Sequence, residues 1–126
     1  IMKSYPAFKP SFSANVTNAL NECIISKAIS GNYGESLSEL ENNFSKLHNN
    51  YYAVSCSSGT SALHLACLGL GVGKNSTVVV PAITNMATFF APMYTSAQVI
   101  SCEVEEESGL IDLNSLELIC KSKKID

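Results

Sequence analysis

The sequence predicts an α/β fold in three layers, with a mostly parallel sheet and helices on both of its faces. Strand-like and helical runs alternate from residue 51 to residue 122. Residues 77–80 are an uninterrupted β-branched run, as expected of a buried parallel strand. Strands that alternate with helices form right-handed units whose helices cover the sheet, so the alternation predicts this class.

The first part of the chain predicts an extended start and two amphipathic helices. Apolar residues recur at three- and four-residue steps from Ser13, and Gly31 is expected to end this first helix. Residues 31–34, Gly-Asn-Tyr-Gly, have the composition of a loop. The second helix is expected to start at Ser36, because Ser36 and Glu39 match a capping box.

The second part of the chain predicts three strands, each followed by a helix. The strands are residues 51–56, 77–80 and 98–104, and the helices are residues 57–70, residues 85–94 and a last helix capped by Asp112. Gly71 is expected to end the helix of residues 57–70. The acidic run 105–109 predicts a solvated turn and not a metal site, because no histidine or second carboxylate cluster accompanies it.

Composition argues against several classes of partner. The net charge is −3 and all eight basic residues are lysines, so the chain lacks the clustered Lys and Arg of a nucleic-acid surface. No apolar run approaches the length of a membrane span, and the first residues do not resemble a signal peptide. The five cysteines are scattered, which favours free thiols over a disulfide framework or a zinc site. We therefore expect a cytoplasmic protein that binds no metal, nucleic acid or membrane.

A turn of small residues at positions 57–61, Ser-Ser-Gly-Thr-Ser, predicts an anion site that suits a phosphate. The turn opens an apolar helix, whose first N–H groups carry the positive end of the helix dipole. Gly59 is expected to adopt backbone angles that other residues resist, and the hydroxyls of Ser58, Thr60 and Ser61 can donate to phosphate oxygens. The alternative is that Ser58 simply caps a buried helix.

A second loop is expected at the same edge of the sheet. Thr84 and Asn85 follow the strand of residues 77–80, and ligands of parallel sheets bind at the carboxyl ends of the strands. The turn around Gly59 follows the predicted strand of residues 51–56, so both loops can face one site. His64 lies deeper in its helix and is expected to be a packed or surface residue and not a catalytic one.

The order of these motifs resembles the start of the DegT/DnrJ/EryC1/StrS aminotransferases. The likeness runs from Phe8 onward, with the same order and spacing, through LSELENNFSKLHN, YYAVSCSSGTSALHLACLGLGVG, VVVPAITNMATFFAPMY and EVEEESGLID. Members of this family use pyridoxal 5′-phosphate (PLP), mostly on nucleotide-linked keto-sugars. The resemblance implies the N-terminal part of the large domain of a fold-type I PLP aminotransferase. Residues 1–35 would be a lead-in, helix and loop, and residues 36–126 the first part of that domain.

The resemblance also implies a reaction and a site. The protein would move an amino group from glutamate or glutamine to a nucleotide-linked keto-sugar, as a homodimer with PLP as its cofactor. The N–H groups and hydroxyls of Gly59, Thr60 and Ser61 would hold the cofactor phosphate. None of the eight lysines matches the family's catalytic lysine, so no catalytic residue is assigned, and we expect the 126-residue chain alone to be inactive.

Two alternatives and one departure from the family stay open. The chain could be a non-catalytic remnant that keeps the phosphate turn, or it could come from the sugar dehydratase branch, which replaces the lysine. Asn85 stands where most relatives have an aromatic residue that stacks on the cofactor ring. Its amide could hydrogen-bond the cofactor or the substrate instead, and a helix-cap role is the alternative.

Overall fold

The computed structural model describes residues 6–30 and 35–126. The chain divides into two compact units, Ile1–Val54 and Ser55–Asp126. The predicted loop at residues 31–34 lies outside the described residues, and the predicted division of the chain after residue 35 stays a prediction.

The first unit contains helix α1 (Ala14–Ile25) after residues without regular structure. This helix ends well before Gly31, so the predicted stop is wrong. The chain leaves the helix where Lys27 takes a left-handed conformation, with a φ of 59°. The N–H of Ala28 then donates to the carbonyl of Cys23 at 3.0 Å, which satisfies a carbonyl of the last turn without a glycine.

Helix α2 (Ser36–Leu47) begins at the predicted residue but without the predicted capping box. Glu35 is the N-cap residue and makes no side-chain cap, so Ser36 already lies inside the helix. The Ser38 hydroxyl donates to the carbonyl of Glu35 at 2.8 Å. The apolar side chains of α1 and α2 are exposed: Val16, Leu20, Ile24, Leu37, Leu40, Phe44 and Leu47.

The second unit has the alternating helix and strand order that the sequence predicts. Its elements are α3 (Gly59–Gly69), β1 (Thr77–Pro81), α4 (Met86–Tyr94), β2 (Gln98–Cys102) and α5 (Leu113–Ser122). The strands β1 and β2 pair in parallel, in a register that runs from Thr77 opposite Gln98 to Pro81 opposite Cys102. The α/β class with a parallel sheet is therefore confirmed, and the described residues contribute two strands to that sheet.

Helices α4 and α5 cover the sheet. Helix α4 packs on both strands and α5 packs on β2, whereas α4 and α5 do not contact each other in the described part of the chain. This arrangement fits helices on the two faces of the sheet. The core consists of small and β-branched apolar side chains, namely Val80, Ala91, Ala97 and Cys102.

The strand predicted at residues 51–56 is absent, and these residues have no regular structure. The prediction used the apolar and aromatic composition, but a strand exists only where its backbone pairs with a neighbour. Within residues 6–30 and 35–126, only β1 and β2 pair as strands, and Tyr52 and Val54 are exposed.

The last predicted strand is shorter than expected. It stops at Cys102, and Val104 instead forms an isolated antiparallel bridge with Ile111. The acidic run forms the turn between these two residues, as predicted, with Gly109 at a φ of 68°. Asp112 then caps α5 by accepting the N–H groups of the next turn, as predicted.

Candidate functional site

The small-residue turn is the start of α3, and Ser58 is its N-cap residue. Ser58 has an extended backbone, with φ of −162° and ψ of 162°, and its Oγ accepts the N–H of Ser61 at 3.1 Å. Its carbonyl accepts the N–H of Ala62 at 3.0 Å. Ser58 therefore satisfies two backbone donors of the first turn, and the cap that was the alternative reading is present.

The cap does not use up the donors of this turn. The N–H groups of Gly59 and Thr60 have no acceptor among the described residues, and neither does the Thr60 hydroxyl. These N–H groups lie where the partial positive charge of the helix is concentrated. Capping and anion binding are therefore compatible at this turn.

Gly59 serves the turn in a different way from the one predicted. It is the first residue of the helix, and the glycines with a positive φ in the described part of the chain are Gly71 and Gly109. A Cβ placed on Gly59 would meet no atom within 4 Å. The surroundings of Gly59 are thus open to solvent, and the absence of a side chain matters for access to the turn and not for backbone strain.

Three serine hydroxyls meet beside the free N–H groups, a feature that the sequence reasoning missed. The Oγ of Ser61 lies 3.0 Å from the Oγ of Ser58 and 3.3 Å from the Oγ of Ser57. The signal was present in the sequence, because Ser57 and Ser58 precede Ser61 by four and three residues, a spacing that brings side chains together at a helix start.

The second predicted loop leads into α4, where Asn85 is the N-cap residue. Its Oδ1 accepts the N–H of Ala87 at 2.9 Å, so the helix-cap role of Asn85 is present in the structure. Its Nδ2 group has no acceptor among the described residues. Beside it, the hydroxyls of Thr84 and Thr88 lie 3.0 Å apart. Asn85 therefore caps the helix with one end of its amide and keeps two N–H donors available.

The two turns belong to one pair of packed helices. Helix α3 packs against α4, and the ring of His64 meets Tyr94 edge to face with centroids 5.5 Å apart. Tyr94 also stacks on Phe90, with centroids 6.0 Å apart. His64 is thus a packed residue, as predicted. The structure brings Gly59, Thr60 and Ser61 together, whereas no hydrogen bond joins them to Asn85 in the part of the chain that the structure describes.

The donor set at the start of α3 fits a phosphate group. Two backbone N–H groups, two hydroxyls and an uncrowded glycine offer only donors or rotatable hydroxyls to an incoming ligand. No carboxylate is among these groups to repel an anion. The turn can therefore hold the phosphate of PLP, the cofactor that the resemblance implies.

Other site types find less support. Within residues 6–30 and 35–126, no group of three or more His, Cys, Asp or Glu side chains could hold a metal ion. All five cysteines are free thiols. None of the described helices has both the length and the apolar character needed to cross a membrane.

Comparison with protein families gives one match over most of the chain. Residues 10–124 match the DegT/DnrJ/EryC1/StrS aminotransferase family. The chain is 36% identical over 118 residues to GDP-perosamine synthase of Escherichia coli O157:H7, an alignment that covers 92% of this chain and 32% of that protein. It is 33% identical over 103 residues to GDP-perosamine synthase of Vibrio cholerae, and this alignment covers 82% of this chain and 28% of that protein. The chain thus spans about a third of the length of these relatives.

Solved structures with the same fold include aminotransferases. DesV of S. venezuelae, solved in complex with a ketimine intermediate, superposes with a TM-score of 0.68 at 29% identity, covering 82% of this chain and 29% of that chain. The sugar aminotransferase Spr1654 of Streptococcus pneumoniae, in its PLP form, gives a TM-score of 0.78 at 24% identity, covering 92% and 29%. The second likeness concerns the fold alone.

Proposed function

Because the chain belongs to the DegT/DnrJ/EryC1/StrS aminotransferase family, we propose that its full-length protein is a PLP-dependent aminotransferase acting on a nucleotide-linked keto-sugar. The amino donor is glutamate or glutamine. The nucleotide is GDP, a choice supported by the two relatives named GDP-perosamine synthase. The observation that carries the proposal is the start of α3, where free N–H groups and hydroxyls suit a phosphate within a chain of this family.

The work of this chain is to bind and place the cofactor. The N–H groups of Gly59 and Thr60 and the hydroxyls of Thr60 and Ser61 hold the phosphate dianion at the positive end of α3. When bound, PLP supplies the electron sink that amino transfer requires. The open surroundings of Gly59 let the phosphate approach the backbone closely.

Asn85 takes a polar role at the second turn. Because its Oδ1 accepts the N–H of Ala87, Nδ2 is the end of the amide that can serve a ligand. In this proposal Nδ2 donates a hydrogen bond to the cofactor ring or to the substrate above it. The aromatic stacking that most relatives use at this position is then absent from this protein.

The proposal includes a setting and an assembly. The protein works in the cytoplasm, which is supported by the five free cysteines, since disulfides are rare in reducing compartments. It works as a homodimer, as the family resemblance implies. Analytical ultracentrifugation of the full-length protein tests the dimer, and a monomer at micromolar concentration would contradict it.

The deciding experiment is a reaction with the full-length protein, PLP, glutamate or glutamine, and a GDP-linked keto-sugar. We expect mass spectrometry to find a GDP-linked amino-sugar together with the keto acid left from the amino donor. Matched reactions with UDP- and dTDP-linked keto-sugars test the nucleotide.

The two alternatives give different results in the same experiment. A protein that binds PLP but converts none of the three sugars is the non-catalytic remnant. A product that has lost water and gained no nitrogen indicates the dehydratase branch. A protein that does not bind PLP at all contradicts every version of the proposal.

A further inference from the structure

The three serine hydroxyls at the start of α3 form a connected cluster. The Oγ of Ser58 accepts the backbone N–H of Ser61 at 3.1 Å and lies 3.0 Å from the Oγ of the same residue. The Oγ of Ser57 lies 3.3 Å from the Oγ of Ser61 on another side. Ser58 is thus bonded to both the backbone and the side chain of Ser61.

The number of protons in this cluster restricts what each hydroxyl can do. A hydroxyl has one proton and two lone pairs. Ser58 uses one lone pair for the N–H of Ser61, so its own proton is free to point at the Oγ of Ser61. Ser61 then accepts from Ser58, and the proton of Ser61 is left to donate to a third group.

A phosphate dianion needs this direction of donation, because it only accepts hydrogen bonds. In the opposite direction, Ser61 donates to Ser58 and has no proton for an anion. The direction can change by rotation of the hydroxyl protons alone, since every heavy atom is already within 3.0–3.3 Å of its partner. Bonds in such a chain also polarise one another, which strengthens the last donor.

We propose that Ser58 is a positioning residue for the cofactor phosphate: its hydroxyl donates to the Oγ of Ser61 and so directs the Ser61 proton toward the phosphate. The inference rests on the proposed function of this turn as the PLP phosphate site. Ser58 dominates over Ser57 because its contact with Ser61 is shorter and its side chain is anchored by the backbone N–H.

The test separates this role from simple helix capping by three substitutions at Ser58 in the full-length protein. Ser58→Thr keeps both the cap and the donor. Ser58→Asn keeps a good cap through Oδ1, but this capping atom carries no proton for the Oγ of Ser61, because the amide protons lie on Nδ2. Ser58→Ala loses both. Ser58 is exposed, so the larger side chains have room.

The readout is equilibrium binding and not turnover. Calorimetry on the cofactor-free protein gives the affinities of pyridoxamine 5′-phosphate and of pyridoxamine, and their ratio isolates the phosphate contribution without a covalent bond to the protein. We expect Ser58→Thr to keep the ratio, and Ser58→Asn to lower it about two- to tenfold while the unfolding temperature stays unchanged. Ser58→Ala is expected to lower both the ratio and the unfolding temperature.

Ser61→Ala provides the reference, and we expect it to lower the ratio about ten- to a hundredfold. If Ser61→Ala lowers the ratio but Ser58→Asn and Ser58→Ala do not, Ser58 is only a helix cap and the inference is wrong while the phosphate site stands. If Ser61→Ala leaves the ratio unchanged, the proposed phosphate role of Ser61 is wrong and the inference falls with it.

Discussion

Asp126 binds both backbone polar groups of Thr77, the first residue of β1. The N–H of Thr77 donates to the Oδ2 of Asp126 at 3.0 Å, and the N–H of Asp126 donates to the carbonyl of Thr77 at 3.1 Å. Because Thr77 is also opposite Gln98 in the register, the start of β1 is held on both of its edges.

Removing this carboxylate is expected to destabilise the protein modestly. Asp126→Ala leaves the N–H of Thr77 without its hydrogen-bond partner. We expect this loss to lower the free energy of unfolding, measured by denaturant titration, by about 0.5–1.5 kcal/mol. Asp126→Asn keeps an acceptor oxygen and is expected to restore most of the loss. Lys124→Ala is the control, because it removes only the exposed ion pair between Lys124 and Asp126, whose charged atoms lie 3.6 Å apart. An equal loss of stability in Lys124→Ala would assign the effect to this ion pair instead.

Gly59→Val is expected to separate folding from cofactor binding. A side chain at Gly59 meets no protein atom, and the helix tolerates valine at least as well as glycine, so the unfolding temperature stays unchanged or rises. We expect the affinity for pyridoxamine 5′-phosphate to fall further in Gly59→Val than in a variant that lacks one hydroxyl, because the valine side chain blocks approach to the free N–H groups.

Gly69→Val is the matched control for this substitution. Gly69 is the last residue of the same helix and is equally uncrowded. We expect it to leave the affinity at the wild-type value. Equal affinities for wild type, Gly59→Val and Gly69→Val would mean that the ligand does not approach the start of α3.

Thr60→Ala is expected to weaken binding of the cofactor about ten- to a hundredfold, since a hydrogen bond from a hydroxyl to a charged phosphate contributes roughly 1.5–3 kcal/mol. Thr60→Ser keeps the hydroxyl and should bind nearly as wild type. Fluorescence titration with PLP measures both. A Thr60→Ser variant as weak as Thr60→Ala would point to the lost methyl group and away from the hydroxyl.

Asn85→Phe is expected to move affinity and turnover in opposite directions. The new ring can stack on the cofactor, adding about 0.5–1.5 kcal/mol, while the polar contact proposed for Nδ2 disappears. Both Asn85→Phe and Asn85→Ala lose the bond to Ala87, so both should lower the free energy of unfolding by about 0.5–2 kcal/mol.

Asn85→Ala therefore isolates the effect of the ring from the loss of the cap. Calorimetry and steady-state kinetics on the two variants decide the matter. If affinity and turnover are the same in Asn85→Phe as in wild type, Asn85 serves only as a cap.

Substitutions at the ends of two helices are expected to change the free energy of unfolding in opposite directions. Helices α3 and α4 both end in a Schellman motif, with Gly71 at a φ of 78° in the first and Ser96 at a φ of 66° in the second. A left-handed conformation costs a residue with a Cβ roughly 1–2 kcal/mol and costs glycine little.

We expect Ser96→Gly to raise the free energy of unfolding by about 0.5–1 kcal/mol and Gly71→Ala to lower it by about 1 kcal/mol. Chemical denaturation of the two variants beside wild type measures both changes. Changes of the same sign at Ser96 and Gly71 would show that backbone conformation does not govern these two sites.

The sequence predicted elements well where one local pattern determines them. Residues 77–80 carry the β-branched run of a strand, and Asp112 has the side chain of an N-cap, so both predictions are confirmed. The strand at residues 51–56 failed because strand formation depends on a pairing partner that composition does not encode. The stop at Gly31 failed because Lys27 adopts the left-handed conformation that the rule reserves for glycine.

The sequence predicted the backbone of the candidate site but not the contacts among its side chains. The small residues after position 56 indicate a helix start open to a ligand, and the structure has one at Gly59. The contacts among the serine hydroxyls depend on side-chain rotamers, which the residue types alone do not determine. For the same reason, sequence could offer a cap and a ligand contact for Asn85 only as alternatives, whereas the structure shows which amide atom the cap occupies.

The pairing of β1 with β2 has a consequence for how the chain acquires its fold. The partners of every pair, from Thr77 with Gln98 to Pro81 with Cys102, are separated by one crossover connection, which contains α4. Parallel pairing across such a crossover forms slowly, because the loop must close before the strand contacts stabilise it, whereas the contacts within a helix are local. We therefore expect α4 to form before β1 and β2 pair, and its packing on both strands then favours their parallel register. Pulsed hydrogen exchange during refolding would protect the amides of α4 before those of the two strands.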